Sequence, residues 1–223
     1  MQLQFAHKDD LFSWIAPMML NAPNAEHFWK QDGDMRIYWR KNPNPRIKKP
    51  QYVADFTIDV SVERADPLVN LSKNRLAWDM YVSNFVELNP NNGTDEDDVF
   101  TEIQATGRFL SERRIRRVMP DGSRVCVCTS HKSKFELPPH KASVEAWNFT
   151  NGVALIKHPS DPNKCIIRML ACSEFGGWVP GVFIDRLVPG GLLKVCSSLR
   201  TFVVKTIEEE KKAGKEEKKK GKN

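Results

Sequence analysis

From Phe175 to Lys205 the chain reads F-G-G-W-V-P-G-V-F-I-D-R-L-V-P-G-G-L-L-K-V-C-S-S-L-R-T-F-V-V-K, and its large apolar residues recur at spacings of three and four. Trp178, Phe183, Ile184, Leu187, Val188, Leu192, Val195, Leu199, Phe202 and Val203 fall on one broad stripe of a helix. Asp185, Arg186, Lys194, Ser197, Ser198, Arg200 and Lys205 mostly fall on the opposite side. A helix this apolar on one side needs a partner surface. Pro189-Gly190-Gly191 interrupts the stripe, because proline lacks an N–H and clashes with the preceding turn while glycine is a poor helix former. The pattern predicts a kinked or two-part helix closing over something apolar.

The remaining sequence supplies that surface. Residues 10–20 read as a short amphipathic helix, with Leu11, Trp14, Ile15 and Met18 on one face and Pro17 set to end it early. Residues 25–30 read as a further turn. The period then changes to strands over 35–40 and 52–62, with a turn at Lys41-Asn-Pro-Asn-Pro45 between them. Residues 65–79 return to helical spacing, with Asp66 as the expected cap and Pro67 at the first position. Strands are expected over 82–88, 99–105, 113–119, 124–131, 143–149, 152–158 and 165–172. Residues 89–98 are read as an exposed acidic loop. Pro120-Asp-Gly-Ser123 and Asn151-Gly152 are hairpin turns. Strands joined by short turns favour an antiparallel sheet over βαβ units, so the expected class is α+β, a curved antiparallel sheet gripping one long amphipathic C-terminal helix around a cavity.

With 223 residues, 40% of them hydrophobic, the chain suits one large domain over 1–207 with a Lys/Glu-rich tail over 208–223 that is expected to continue the helix for a turn or two and then be disordered. The net charge is +6, and from Lys205 onward eight Lys and five Glu account for half of the surplus. The remainder is too modest for a nucleic-acid reading, and aromatics do not interleave with the basic runs. Five cysteines without a disulfide-like framework (Cys126, Cys128, Cys165, Cys172 and Cys196) read as free, mostly buried thiols in a reducing compartment. Cys126-x-Cys128 is not a metal-ligand spacing, and alternation puts both on one strand face. No secretory signal or membrane-length apolar run is visible, so a cytosolic monomer is expected.

Several local motifs, in order, resemble the START family, the lipid-transfer domains related to steroidogenic acute regulatory protein. Asn74-Arg-Leu-Ala-Trp-Asp79 is similar to the family's R-x-x-W-D. Phe109-Leu-Ser-Glu-Arg-Arg-Ile resembles a stretch ending in an R-D pair. Glu136-Leu-Pro-Pro-His-Lys-Ala-Ser-Val is similar to its P-x-x-x-G-x-V/I segment, and Gly177-Trp-Val-Pro180 to the G-G-x-I/V-P that opens the last helix. The match covers roughly residues 29–201. It implies a helix-grip fold and non-enzymatic binding of one lipid, phospholipid or sterol, in an internal tunnel, with transfer between membranes and no cofactor or metal. Burying an acyl chain or sterol gains about 0.8 kcal/mol per CH₂, so a closed apolar cavity competes with a bilayer.

The resemblance also implies ligand contacts. Arg75 and Asp79 match positions near the phosphate end of the lipid in the phosphatidylcholine-transfer branch; the alternative is a surface i,i+4 pair. Where that branch carries an aromatic choline cage, this chain has Thr101, Ile115 and Phe149, which argues against choline selectivity. Glu102 matches a buried acidic position of the cholesterol-binding branch, whose basic partner aligns at Arg117 or Met119, so that Glu102–Arg117 is an expected internal pair; the alternative is two solvent-facing strand residues. Phe183 and Leu187 are expected to line the tunnel from the last helix. Trp178, Pro189, Gly190 and Gly191 are expected to form its gate. Arg113 and Arg114 stand where the family carries Arg-Asp. With Arg108, Arg116 and Arg117 they make a basic hairpin, read as a solvated face; the alternative is an electrostatic contact with an anionic membrane. The histidines are scattered and none adjoins a nucleophile motif, so no catalytic residue is assigned; the alternatives are a helix-grip enzyme or a lipid-sensing regulatory module.

Overall fold

The computed structural model describes residues 8–24, 28–90, 94–177 and 181–220, with the side chains of 8, 105, 181–187 and 214–220 outside the described set. Strands β1 (Phe28–Asp32), β2 (Met35–Arg40), β3 (Gln51–Ile58), β4 (Val82–Glu87), β5 (Glu96–Ile103), β6 (Arg108–Val118), β7 (Arg124–Ser130), β8 (Val144–Glu145), β9 (Trp147–Asn148), β10 (Asn151–Lys157), β11 (Cys165–Ala171) and β12 (Ser173–Glu174) alternate with helices α1 (Lys8–Leu20), α2 (Val62–Asn70), α3 (Arg75–Trp78) and α4 (Gly181–Lys220). The main sheet has ten strands, in the order β1-β2-β3-β11-β10-β7-β6-β5-β4, with β8 joined parallel to β6. Every other pairing is antiparallel. The expected α+β helix-grip architecture is therefore present, with the sheet left open.

Period-two alternation gives the sheet two apolar faces. On the inner face Ile37, Tyr52, Ala54, Phe56, Cys126, Val153, Leu155, Ile167 and Met169 pack with α4 through Leu192, Leu193, Val195, Cys196, Leu199, Val203 and Ile207. On the outer face Tyr38, Val53, Ile115, Val125, Val127, Ala154 and Leu170 receive Leu11, Phe12, Ile15, Ala16 and Met19 of α1. Gly152 lets α1 sit this close: a Cβ there would stand 2.3 Å from the Cys126 carbonyl oxygen and 3.0 Å from Met19 Sδ. Helix α1 does not stop at Pro17. Its C-terminal carbonyls are held instead by Arg168, whose Nη1 donates to the oxygens of Met19, Leu20 and Asn21 at 2.8, 2.9 and 2.9 Å. Nη2 of the same side chain pairs with Asp55 at 3.0 Å.

Other boundaries differ from expectation for local reasons. The helix expected over 65–79 is α2, a 3-10 turn at Ser72–Asn74, and α3. Ser61, not Asp66, precedes its first turn; Pro67 lies inside α2, and Asp66 accepts from Asn70 Nδ2 at 2.7 Å. The segment around residue 30 is the edge strand β1, paired with β2. The acidic run is not wholly a loop, because Glu96, Asp97 and Asp98 begin β5 opposite Ile115, Arg114 and Arg113. Helix α4 is one element from Gly181 to Lys220 with Pro189 inside it, so the two-part expectation gives way to a single helix.

Candidate functional site

The inner face changes character at its β5–β6–β7 end. Along β6, Glu112, Arg114 and Arg116 point inward between the outward Arg113, Ile115 and Arg117. Arg114 is buried, and its Nε donates to Asp97 Oδ1 at 2.8 Å while Nη2 bonds Asp97 Oδ2. The same Nη2 donates to Glu87 at 2.9 Å and Ser72 Oγ at 2.7 Å. Burial works against the Arg114 charge, but the two-pronged Asp97 pair outweighs it and holds the guanidinium above its ordinary pKa. Arg116 reaches Asp97 at 3.3 Å.

Beside this cluster, Glu112 accepts from Asn148 Nδ2 at 2.7 Å and from Thr101 Oγ1 at 3.5 Å. Burial raises the Glu112 carboxyl above its ordinary value, with Asn148 and then the Arg75 and Arg114 charges opposing the rise. Arg75 and Asp79 form an ion pair at 2.5 Å, with Asp79 buried and the Arg75 side chain 32% exposed. Arg75 Cζ lies 4.3 Å over the Trp78 ring. Arg75 Nε and Trp78 Nε1 are buried donors with no hydrogen-bond partner among the described residues. A buried donor left unpaired costs about 1–3 kcal/mol, so these two mark where a polar acceptor would be welcomed. Nearby Leu71, Leu76 and Met80 are 45%, 52% and 62% exposed.

Thus Arg75, Asp79 and Thr101 of the expected contacts stand with this wall, and four others stand elsewhere. Ile115 is in the outer cluster beneath α1. Arg117 is also outside, paired with Asp9 and 4.7 Å over Phe12. The expected Glu102–Arg117 pair is not formed, because Glu102 sits opposite Phe109 near the far end of β6. Glu102 instead accepts the backbone N–H groups of Lys141 and Ala142 at 2.9 and 2.8 Å, beside an open pocket of about 520 Å³ lined by Ser83, Glu102 and residues 139–142. Phe149 packs with Ile47 and Cys172 in a separate cluster. Pro189, Gly190 and Gly191 lie within α4, where a Cβ on Gly191 would stand 3.6 Å from the Tyr81 ring. Trp178 and the side chains of Phe183 and Leu187 lie outside the described residues.

The basic hairpin is solvated only in part: Arg114 is buried, while Arg113 and Arg117 are partly exposed but paired. Besides Arg114, Arg116 and Arg117, Arg113 pairs with Glu96 at 2.9 Å, and Arg108 Nε donates to the Phe175 carbonyl at 2.6 Å. The residues missed in sequence are Asp97, Glu87, Glu112 and Asn148. Only Asp97 had a sequence signal: a strand opening on acids lies beside one crowded with arginines, and antiparallel pairing sets Asp97 opposite Arg114. Among the described residues, no group of three or more His, Cys, Asp or Glu is placed to hold a metal ion. Among them, too, no helix is long and apolar enough to cross a membrane.

This open antiparallel sheet gripping a C-terminal helix, with a polar wall inside it, is the START-like helix-grip fold, and comparison with solved structures gives the same class. The chain is similar to human StAR-related lipid transfer protein 5, with a TM-score of 0.75 and 16% identity over 89% of this chain and 97% of that one. It is similar to human STARD10, with a TM-score of 0.71 and 16% identity over 94% of this chain and 84% of that one. A STAR-related lipid transfer protein from Xanthomonas axonopodis gives 0.63 at 13% identity, covering 79% and 97%. No family model and no curated protein matches the chain.

Proposed function

We propose that this protein binds one lipid between the sheet and α4 and carries it between membranes, as a cytoplasmic monomer that touches membrane surfaces transiently. The observation that carries this reading is the pair of unsatisfied buried donors, Arg75 Nε and Trp78 Nε1, beside the Arg75–Asp79 ion pair on the inner wall. A headgroup oxygen would accept from them, and the apolar side chains of the inner cluster would cover the lipid's hydrocarbon. Two proteins that share the fold are StAR-related lipid transfer proteins, from human and from Xanthomonas axonopodis. The exposed Leu71, Leu76 and Met80 suit a membrane contact. The start of α4 acts as the gate: Pro189 withholds a helix hydrogen bond, and Gly190 and Gly191 lower the cost of bending there.

The test is native mass spectrometry after incubation with vesicles of phosphatidylcholine, with and without cholesterol. One lipid per chain is expected, and Arg75→Ala should lower uptake by about tenfold through loss of charge-assisted hydrogen bonds. A folded protein that takes up neither lipid would overturn the carrier reading. Replacing Pro189-Gly190-Gly191 with three alanines should slow vesicle-to-vesicle transfer without changing the amount bound at equilibrium; an unchanged rate would remove the gate.

A further inference from the structure

The two ends of the main sheet carry opposite charge. Strands β2, β5, β7 and β11 end where β3, β4, β6 and β10 begin, as the antiparallel pairings require. The connections at this end, residues 41–50, 104–107, 131–150 and 172–177, hold seven Lys or Arg against three Glu. Those at the other end, residues 33–34, 59–61, 88–95, 119–123 and 158–164, hold five Asp against one Lys. Helix α4 starts at the basic end: Arg108 Nε donates to the Phe175 carbonyl shortly before it, and Gly191 lies against Tyr81, which leads into β4.

Most of the basic charge sits in one loop. Between β2 and β3 the chain reads K-N-P-N-P-R-I-K-K-P, with four basic residues and no acid. Ile47 is 4% exposed and packs with Phe149 and Cys172. Asn42 Oδ1 accepts from the Asn44 N–H and Asn44 Oδ1 from the Arg46 N–H, each at 3.0 Å, and Asn42 Nδ2 donates to Cys172 Sγ at 3.4 Å. With Ile47 pinned inward, Arg46 and Lys48 on either side of it are exposed, as is Lys41. Lys49 pairs with Glu174 at 3.6 Å, but Lys41, Arg46 and Lys48 form no ion pair among the described residues. The fold therefore holds three unneutralised cations on a fixed loop, a surface that an anionic partner would complement.

Beside the loop, Phe28 and Trp29 open the edge strand β1 and Trp39 nears the end of β2, and all three are exposed. Aromatic rings with a polar tip settle at the headgroup level of a bilayer, and basic side chains are drawn to the anionic lipids of a leaflet. We propose that the basic end of the sheet is a docking surface for an anionic membrane leaflet, with loop 41–50 as its electrostatic contact and the β1–β2 edge as its interfacial one. The proposal rests on the carrier reading and adds to it the kind of membrane served. The acidic end is repelled by the same leaflet, so charge sets the orientation in which the start of α4 faces the lipid.

Sedimentation of the full chain with vesicles of phosphatidylcholine, and of an equal mixture of phosphatidylcholine and phosphatidylserine, tests the dock. Binding to the mixed vesicles should be stronger by about a hundredfold and should fall in high salt, because each basic side chain at the surface adds about fivefold. Lys41→Ala, Arg46→Ala and Lys48→Ala together should abolish that preference while leaving equilibrium uptake of phosphatidylcholine, read by native mass spectrometry, unchanged. Lys205→Ala, Lys211→Ala and Lys212→Ala remove as much charge from the far part of α4, where Arg200 pairs with Asp34 and Glu210 with Arg64, and should leave the preference intact. An equal loss in both triple variants would overturn the dock. Soluble polyglutamate, which offers charge without an interface, should displace the protein from mixed vesicles only weakly; complete displacement at matched charge would reassign the surface to an acidic protein. A chain that takes up phosphatidylcholine but does not prefer mixed vesicles loses the dock and keeps the carrier reading. A chain that prefers them through loop 41–50 yet takes up no lipid keeps the dock and loses that reading.

Discussion

The two faces of β6 hold the same kind of side chain to different ends. Arg117, outside, is 35% exposed at its side chain and pairs with an Asp9 that is 66% exposed. Arg114, three residues earlier and inside, is 7% exposed and binds Asp97 with two nitrogens while also touching Glu87 and Ser72. On the outside, solvent already satisfies the charge and the pair adds little. On the inside, the charge is tolerable only because carboxylates surround it, and removing any one partner strands another. Alternation along one strand therefore separates a surface that tolerates substitution from a wall that does not.

The sharpest way to break that contrast is Arg114→Ala. It should cost about 3–5 kcal/mol in chemical denaturation, because Asp97 is left buried and unpaired. Combining it with Asp97→Leu should recover most of the loss; no recovery would mean the pair does more than neutralise itself. Next comes Ile115→Ala, on the outer face but fully buried under α1. A loss of about 2–5 kcal/mol is expected from the cavity, and a loss under about 1 kcal/mol would show that α1 is not firmly seated.

Glu112→Gln sharpens the electrostatic side. Burial raises the folded-state pKa of Glu112, so its favourable contribution is complete at acid pH and is lost as pH rises through that raised value. The Gln variant should match wild type near about pH 4 and gain on it progressively toward about pH 8. A flat difference across that range would mean Glu112 is ionised in the fold. The smallest effect belongs to Arg117→Ala, expected to change stability by about 0.2–1 kcal/mol and to matter less in high salt.

Much of the architecture was legible because it rests on period. The stripe on α4, the alternation of β3 and the hairpin turns each report a local preference that burial reinforces. Arg75 and Asp79 were legible as a pair because a separation of four residues brings side chains together on any helical turn. Glu112 was not, because its partners Asn148 and Thr101 are 36 and 11 residues away. Arg117 and Ile115 were placed inside when they are outside, since a one-residue error in register exchanges the faces of a strand. The acidic run was read as loop because strand propensity disfavours Asp and Glu. Pairing with the arginines of β6 overrode it.

The sequence by itself determined the class of fold, the identity of the gripped helix and the free state of the thiols, because apolar periodicity and composition act locally and add along the chain. Only the tertiary structure decided which arginines are inside, which carboxylates answer them, and that the neighbouring Cys126 and Cys128 stand across from Arg116 and Arg114. Those outcomes depend on antiparallel register, and register is fixed by the burial of whole faces at once rather than by any stretch read alone.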